Sequence, residues 1–164
     1  MTRHGWLVAL LVVPLLVGCA KEKEKKSGWQ SFPVAIYADS ALTSDREAEE
    51  DLLAAMAFWE SNAGRALFDF KGQWDGSKPF TGSASSPGTI LANVIFFHHP
   101  WPFASFEAGM TVTTSSSSAG TTGSVVMLNP SIELCGGSCE GDWHRTSRQR
   151  LLAHELGHFI GLSH

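Results

Sequence analysis

Apolar residues recur along the chain with two different periods, and turn-forming polar stretches separate them. Residues 32–38 (FPVAIYA) are β-branched and aromatic, with Pro33 at the start where no ladder donor is needed, and predict a buried strand. Ser44 and Glu47 have the spacing of a capping box. Ala48, Leu52, Ala55, Met56 and Trp59 then recur at helical intervals, predicting a helix through about Ala63, closed by Gly64. On that reading Met56 and Trp59 belong to the core. Residues 68–70 suggest a short second strand, and the turn-rich residues 72–88 read as a surface loop. Residues 89–97 (TILANVIFF) form a continuous apolar run, as expected of a strand covered on both faces.

Residues 110–114 and 124–128 (SVVML) are two further strand candidates. Between them, residues 115–123 are of low complexity with nothing to bury, which predicts a mobile loop. A last helix is expected to begin at Thr146 or Ser147, with Gln149 completing a capping box after Thr146, and to run through Leu151 and Leu152 into the C-terminal residues. No internal repeat is visible. Strand, helix, three or four strands, helix is the order of an α+β fold, a mixed sheet with helices packed on it.

Composition narrows the class. With 164 residues, 43% hydrophobic and 17% charged, the chain has enough apolar matter for one packed core and too much for disorder. Its net charge of −4 argues against a nucleic-acid partner, which calls for a basic surplus. Residues 6–17 form an unbroken apolar run behind Arg3, shorter than the ~20 residues of a membrane span, and read as a secretory signal. Residues 16–19 (LVGC) resemble the bacterial lipoprotein signal, in which Cys19 is lipidated and becomes the new N-terminus. Residues 1–18 are then the signal peptide, and residues 19–31 are the lipidated Cys and a tether rich in charge (KEKEKK). The protein is expected outside the cytoplasmic membrane, anchored through lipid to the cell envelope. Cys135 and Cys139, flanking a flexible Gly-Gly-Ser, are expected to pair as a disulfide in that oxidising compartment.

The chemistry is concentrated in residues 154–164, HELGHFIGLSH. His154 and His158 are four apart on a helix, so both imidazoles project from one face and can reach one ion. Glu155 is adjacent and can address a water on that ion. Gly161 tolerates the positive φ of a sharp turn, after which His164 can return as a third nitrogen ligand. Three neutral imidazoles with one position open describe a catalytic rather than a structural Zn²⁺ site. Glu155 would serve as general base toward a water attacking a carbonyl, then return the proton to the departing amine.

This motif resembles the zinc signature of the metzincin metallopeptidases, and Gly157 with Gly161, Leu162, Ser163 and His164 resembles most the matrixins, the matrix-metalloproteinase family. The similarity extends more loosely to Gly109, Met110 and Thr111 and to the strand through Val125 and Asn129, and could cover residues 32–164 as a catalytic domain. The resemblance implies a zincin-like α+β fold: a twisted, mostly parallel sheet of about five strands with an antiparallel edge bordering the cleft. It implies a zinc metalloendopeptidase acting on peptide or protein substrates, the extended substrate pairing by main-chain hydrogen bonds with the edge strand. The edge is assigned to Ser124, Val125, Val126, Met127, Leu128 and Asn129, with residues 110–114 as the alternative. A monomer is expected.

The sequence also departs from the family. It stops at His164, without the Met turn and pocket wall that follow in metzincins, and it has no pro-segment with a zinc-blocking Cys. A fragment of a longer protease is the expectation; a truncated, catalytically silent zinc-binding surface lipoprotein is the alternative. His98, His99 and His144 read as loop or surface residues rather than ligands, and blocking of the zinc by Cys135 or Cys139 is the alternative to their disulfide.

Overall fold

The computed structural model describes residues 28–137, 139 and 146–164; the expected signal, Cys19, most of the tether and His144 lie outside the described residues. The chain is α+β. A five-stranded sheet is built from β1 (Val34–Ala38), β2 (Phe68–Gln73), β5 (Val94–Phe97), β6 (Gly109–Ser116) and β7 (Gly120–Leu128), in the order β2-β1-β5-β7-β6. The first four of these neighbours run parallel, and β6 pairs antiparallel with β7 at the end of the sheet. Among the described residues, three helices accompany the sheet: α1 (Ser40–Thr43), α2 (Arg46–Ala63) and α3 (Arg148–Phe159).

Alternation along the strands divides the core into two layers. Val126 and Leu128 of β7 join Ile36, Ala38 and Ile95 beneath α2 and α3, which contribute Leu52, Met56, Leu152, Leu156 and Phe159. Val125 and Met127 point to the other face and pack with Val94, Phe80 and Ile90. All four β7 residues are inaccessible to solvent, so this strand is covered on both faces, as its unbroken apolar run requires. Each fully buried aliphatic side chain contributes about 1.5–3 kcal/mol.

The second face is covered by a hairpin that the sequence pattern hides. Residues 72–88, expected as a surface loop, instead contain β3 (Phe80–Ser83), which pairs with β4 (Ser86–Ile90). Only Phe80, Ala84 and Ile90 are buried there, too few and too widely spaced among Gly, Ser and Pro to read as strands. The run 89–97 is correspondingly split, with Ile90 in the hairpin, Leu91 exposed and the sheet strand starting at Val94. Nor are residues 115–123 a long loop. β6 and β7 continue through them to a tight turn, with Thr113 and Ser124 hydroxyls 3.0 Å apart and those of Thr114 and Thr122 3.3 Å apart. β-branched Thr and cross-strand hydroxyl pairs favour an extended ribbon even without apolar burial.

The helix caps shift by one residue. Asp45, not Ser44, caps α2, its carboxylate accepting from Ala48 N at 3.0 Å. Ser44 instead closes α1 by donating its amide to Ser40 O. Gly64 ends α2 at φ 63° as expected. Between β1 and α1, Asp39 Oδ2 accepts from Phe97 N at 2.8 Å. Burial holds the Asp39 carboxyl above its usual range, opposed by the backbone amides it accepts from.

A small parallel pair, β8 (Leu134–Cys135) with β9 (Thr146–Ser147), leads into α3. Cys135 and Cys139 are joined in a disulfide, their Cα atoms 5.9 Å apart. That loop rests on α2, where Asp51 Oδ1 accepts from Gly137 N at 2.9 Å.

Candidate metal centre

α3 is fixed at both ends before it presents any chemistry. Ser147 caps it by accepting from Arg150 N at 3.2 Å, while its own hydroxyl donates to Gly137 O at 2.6 Å. Arg148 donates from Nε to Asp51 Oδ2 at 2.9 Å, tying the first turn to α2 through a largely buried ion pair. Leu152, Leu156 and Phe159 recur on the core side and are fully buried. Two indoles brace the same helix. Trp59 donates to Ala153 O and Trp29 to Phe159 O, both at 2.6 Å.

Gly157 lies under the first of these indoles: a Cβ there would stand 2.9 Å from Trp59 Cζ2. The glycine inside the motif thus admits the brace, which is a packing reason for a residue that is unfavourable in a helix interior.

On the opposite side of α3, His154 is exposed and His158 half-buried, with their Nε2 atoms 3.2 Å apart. The helix ends at Phe159. Gly161 at φ 107° turns the chain, with its amide donating to His158 O and that of Leu162 donating to Gly157 O, each at 3.0 Å. The turn brings His164 back, its ring centroid 5.2 Å from that of His154 and 4.6 Å from that of His158. One ligand atom from each of the three histidines lies within 4.8 Å of the other two.

The donor set suits a divalent cation. Tetrahedral coordination at a metal–nitrogen distance near 2.1 Å separates ligand nitrogens by about 3.4 Å, close to the His154–His158 spacing. His158 Nδ1 lies 2.9 Å from Leu162 O. A carbonyl only accepts, so in the neutral ring Nδ1 carries the proton and Nε2 presents its lone pair to the centre. Three such rings can hold a metal ion.

Glu155 follows His154 but points differently. It is 4% exposed, and its Oε2 accepts from the Thr111 hydroxyl at 2.6 Å. Glu155 and the histidines line a cleft of about 520 Å³ together with Gly109, Met110 and Thr111 of β6.

The sequence-derived residues are only partly assembled here. His154, His158 and His164 come together as expected, and Glu155 lines the same cleft. The edge assignment is corrected: Ser124, Val125, Val126, Met127 and Leu128 belong to an inner strand between β5 and β6, and Asn129 follows it as a buried residue. The Asn129 side chain donates to Glu107 O at 2.9 Å and so fixes the approach to β6. The edge is β6, the alternative. Its content of Thr and Ser (GMTVTTSS) is the signal that separates it from the apolar run of residues 125–128 in β7. His98 and His99 lie in the loop after β5, with His98 Nδ1 2.8 Å from Pro100 O, and neither joins the cluster. Sequence reasoning missed Trp29, the hydrogen-bonding role of Trp59 and the bond of Thr111 to Glu155, because none has a fixed spacing from the motif.

No protein-family model, curated protein or solved structure matches the chain.

Proposed function

We propose that this chain is a zinc metalloendopeptidase of the metzincin kind, most similar to the matrixins, and that it is anchored outside the cytoplasm through lipid on Cys19. The observation that carries the reading is the convergence of three imidazole ligand atoms within 4.8 Å beside the buried Glu155, in a cleft bordered by the edge strand of a sheet. The Cys135–Cys139 disulfide supports an oxidising compartment.

His154, His158 and His164 would hold the ion. Zn²⁺ bound there supplies Lewis-acid polarisation of the scissile carbonyl and makes water more acidic. The protein's own part begins at β6, whose outer edge has main-chain donors and acceptors for an extended peptide. Such pairing grips a chain at any point along its length, which suits cleavage away from the termini. Glu155 accepts a proton from the attacking water as its oxygen bonds to the carbonyl carbon. As the C–N bond breaks, Glu155 returns that proton to the departing amine nitrogen. Its burial against β6 keeps the carboxylate in place without an ordering step during the reaction.

The test is hydrolysis of an unstructured protein substrate by the purified chain, by Glu155→Ala, and by the chain with chelator. The expected result is cleavage by the first alone, with Glu155→Ala still binding zinc. Equal cleavage in all three overturns the mechanism. Zinc binding with no hydrolysis by the wild type instead favours a silent zinc-binding lipoprotein.

A further inference from the structure

One strand holds the Glu155 side chain from two directions. Gly109 and Thr111 are two residues apart on β6 and therefore face the same side of the strand. Thr111 Oγ1 lies 2.6 Å from Glu155 Oε2 and 3.1 Å from the Glu155 carbonyl oxygen. Its single proton goes to the nearer acceptor, the side-chain oxygen at 2.6 Å. At Gly109 the missing side chain is filled by the carboxylate itself: a Cβ there would stand 2.8 Å from Oε1 and 3.0 Å from Cδ. Among the described residues, Oε1 has no hydrogen-bond partner.

Resting on the peptidase reading above, we propose that Thr111 is the positioning residue of the general base. Its hydroxyl holds Oε2, the bare backbone at Gly109 accommodates the carboxylate, and Oε1 is thereby the oxygen left to take the proton. A glutamate has three side-chain torsions, and leaving them free would spread the base over several orientations. Thr111 removes that freedom from the strand whose outer edge would receive the substrate. The base and the peptide thus share one frame of reference, and a shift of β6 moves both together.

A merely structural tie between β6 and α3 would show in stability and substrate binding, so the test separates these from the chemical step. Thr111→Val keeps the shape and removes the hydroxyl; Thr111→Ser keeps the hydroxyl. With zinc bound, Thr111→Val is expected to lower kcat roughly 10- to 100-fold while KM and zinc stoichiometry stay unchanged. Thr111→Ser should restore kcat to within about threefold. Gly109→Ala, which displaces the same carboxylate from the other side, should also lower kcat. In the metal-free protein, Thr111→Val should lower the urea midpoint more when Glu155 is present than in a Glu155→Ala background.

Wild-type kcat in Thr111→Val, or a loss that Thr111→Ser does not restore, overturns the proposal. So do equal midpoint shifts in the two backgrounds beside an active wild type. A wild-type protein that binds zinc and cleaves nothing overturns the peptidase reading, and with it the catalytic role of Thr111. Unequal metal-free shifts would even then establish that Thr111 holds the carboxylate, so the two failures are distinguishable.

Discussion

Trp59 donates its indole N–H to the Ala153 carbonyl at 2.6 Å, one residue before the first histidine of the cluster. The bond crosses from α2 to α3 and is admitted by Gly157, whose missing Cβ would otherwise meet the indole ring at 2.9 Å. The helix carrying the ligands is therefore set against its neighbour by a polar contact as well as by apolar packing.

Trp59→Phe should destabilise the fold by about 1 kcal/mol from the lost hydrogen bond, plus the smaller ring's lost packing. Gly157→Ala should cost about 1–3 kcal/mol by overpacking. The two should not add, because Phe relieves part of the clash. Urea unfolding of both single variants and the double variant measures this, and strict additivity would contradict the brace.

The Arg148–Asp51 pair anchors the start of α3. Asp51→Ala would leave a guanidinium that is only 14% exposed with Glu47 Oε2 at 4.0 Å as its remaining carboxylate, and would remove the acceptor of Gly137 N; it should cost about 3 kcal/mol. Replacing both residues by apolar ones of similar size should cost less than Asp51→Ala alone. Equilibrium denaturation of the single and double variants checks the order, and the reverse order would show that the pair itself is a net stabiliser.

Asp39 gives a pH dependence of defined sign. Its folded carboxyl is held above the ordinary 3.8 chiefly by burial, so the native state binds its proton more tightly than the unfolded chain does. The stability it contributes is fully present below about pH 3.8 and is lost as pH rises through the folded value. Relative to Asp39→Asn, the wild type should lose stability across that window and run parallel above it. Thermal melts of both proteins from pH 3 upward would show it; a wild-type advantage that grows with pH in this range would contradict it.

How far the sequence could be read depended on whether a position was settled locally. The helical recurrence of Leu52, Ala55 and Met56 and the stop at Gly64 are local, and α2 lies where they indicate. The spacing of His154, His158 and Gly161 is local too, and it places three rings together. The β3–β4 hairpin was hidden because it contributes only Phe80, Ala84 and Ile90 to a core that other strands supply. The identity of the edge strand depends on pairing partners distant in the chain. Val125 to Leu128 could be recognised as a strand, but not as one paired on both sides. The bond of Thr111 to Glu155 was hidden for the same reason, since the two are 44 residues apart.

Three histidines sharing one divalent ion is the claim on which the functional reading stands. Its most direct test is metal content after equilibration with Zn²⁺ and removal of free metal, compared between the wild type and His158→Ala. One zinc per wild-type chain and loss of stoichiometric binding in His158→Ala are expected. No stoichiometric zinc in a folded wild-type protein, or equal zinc in the two, would contradict it.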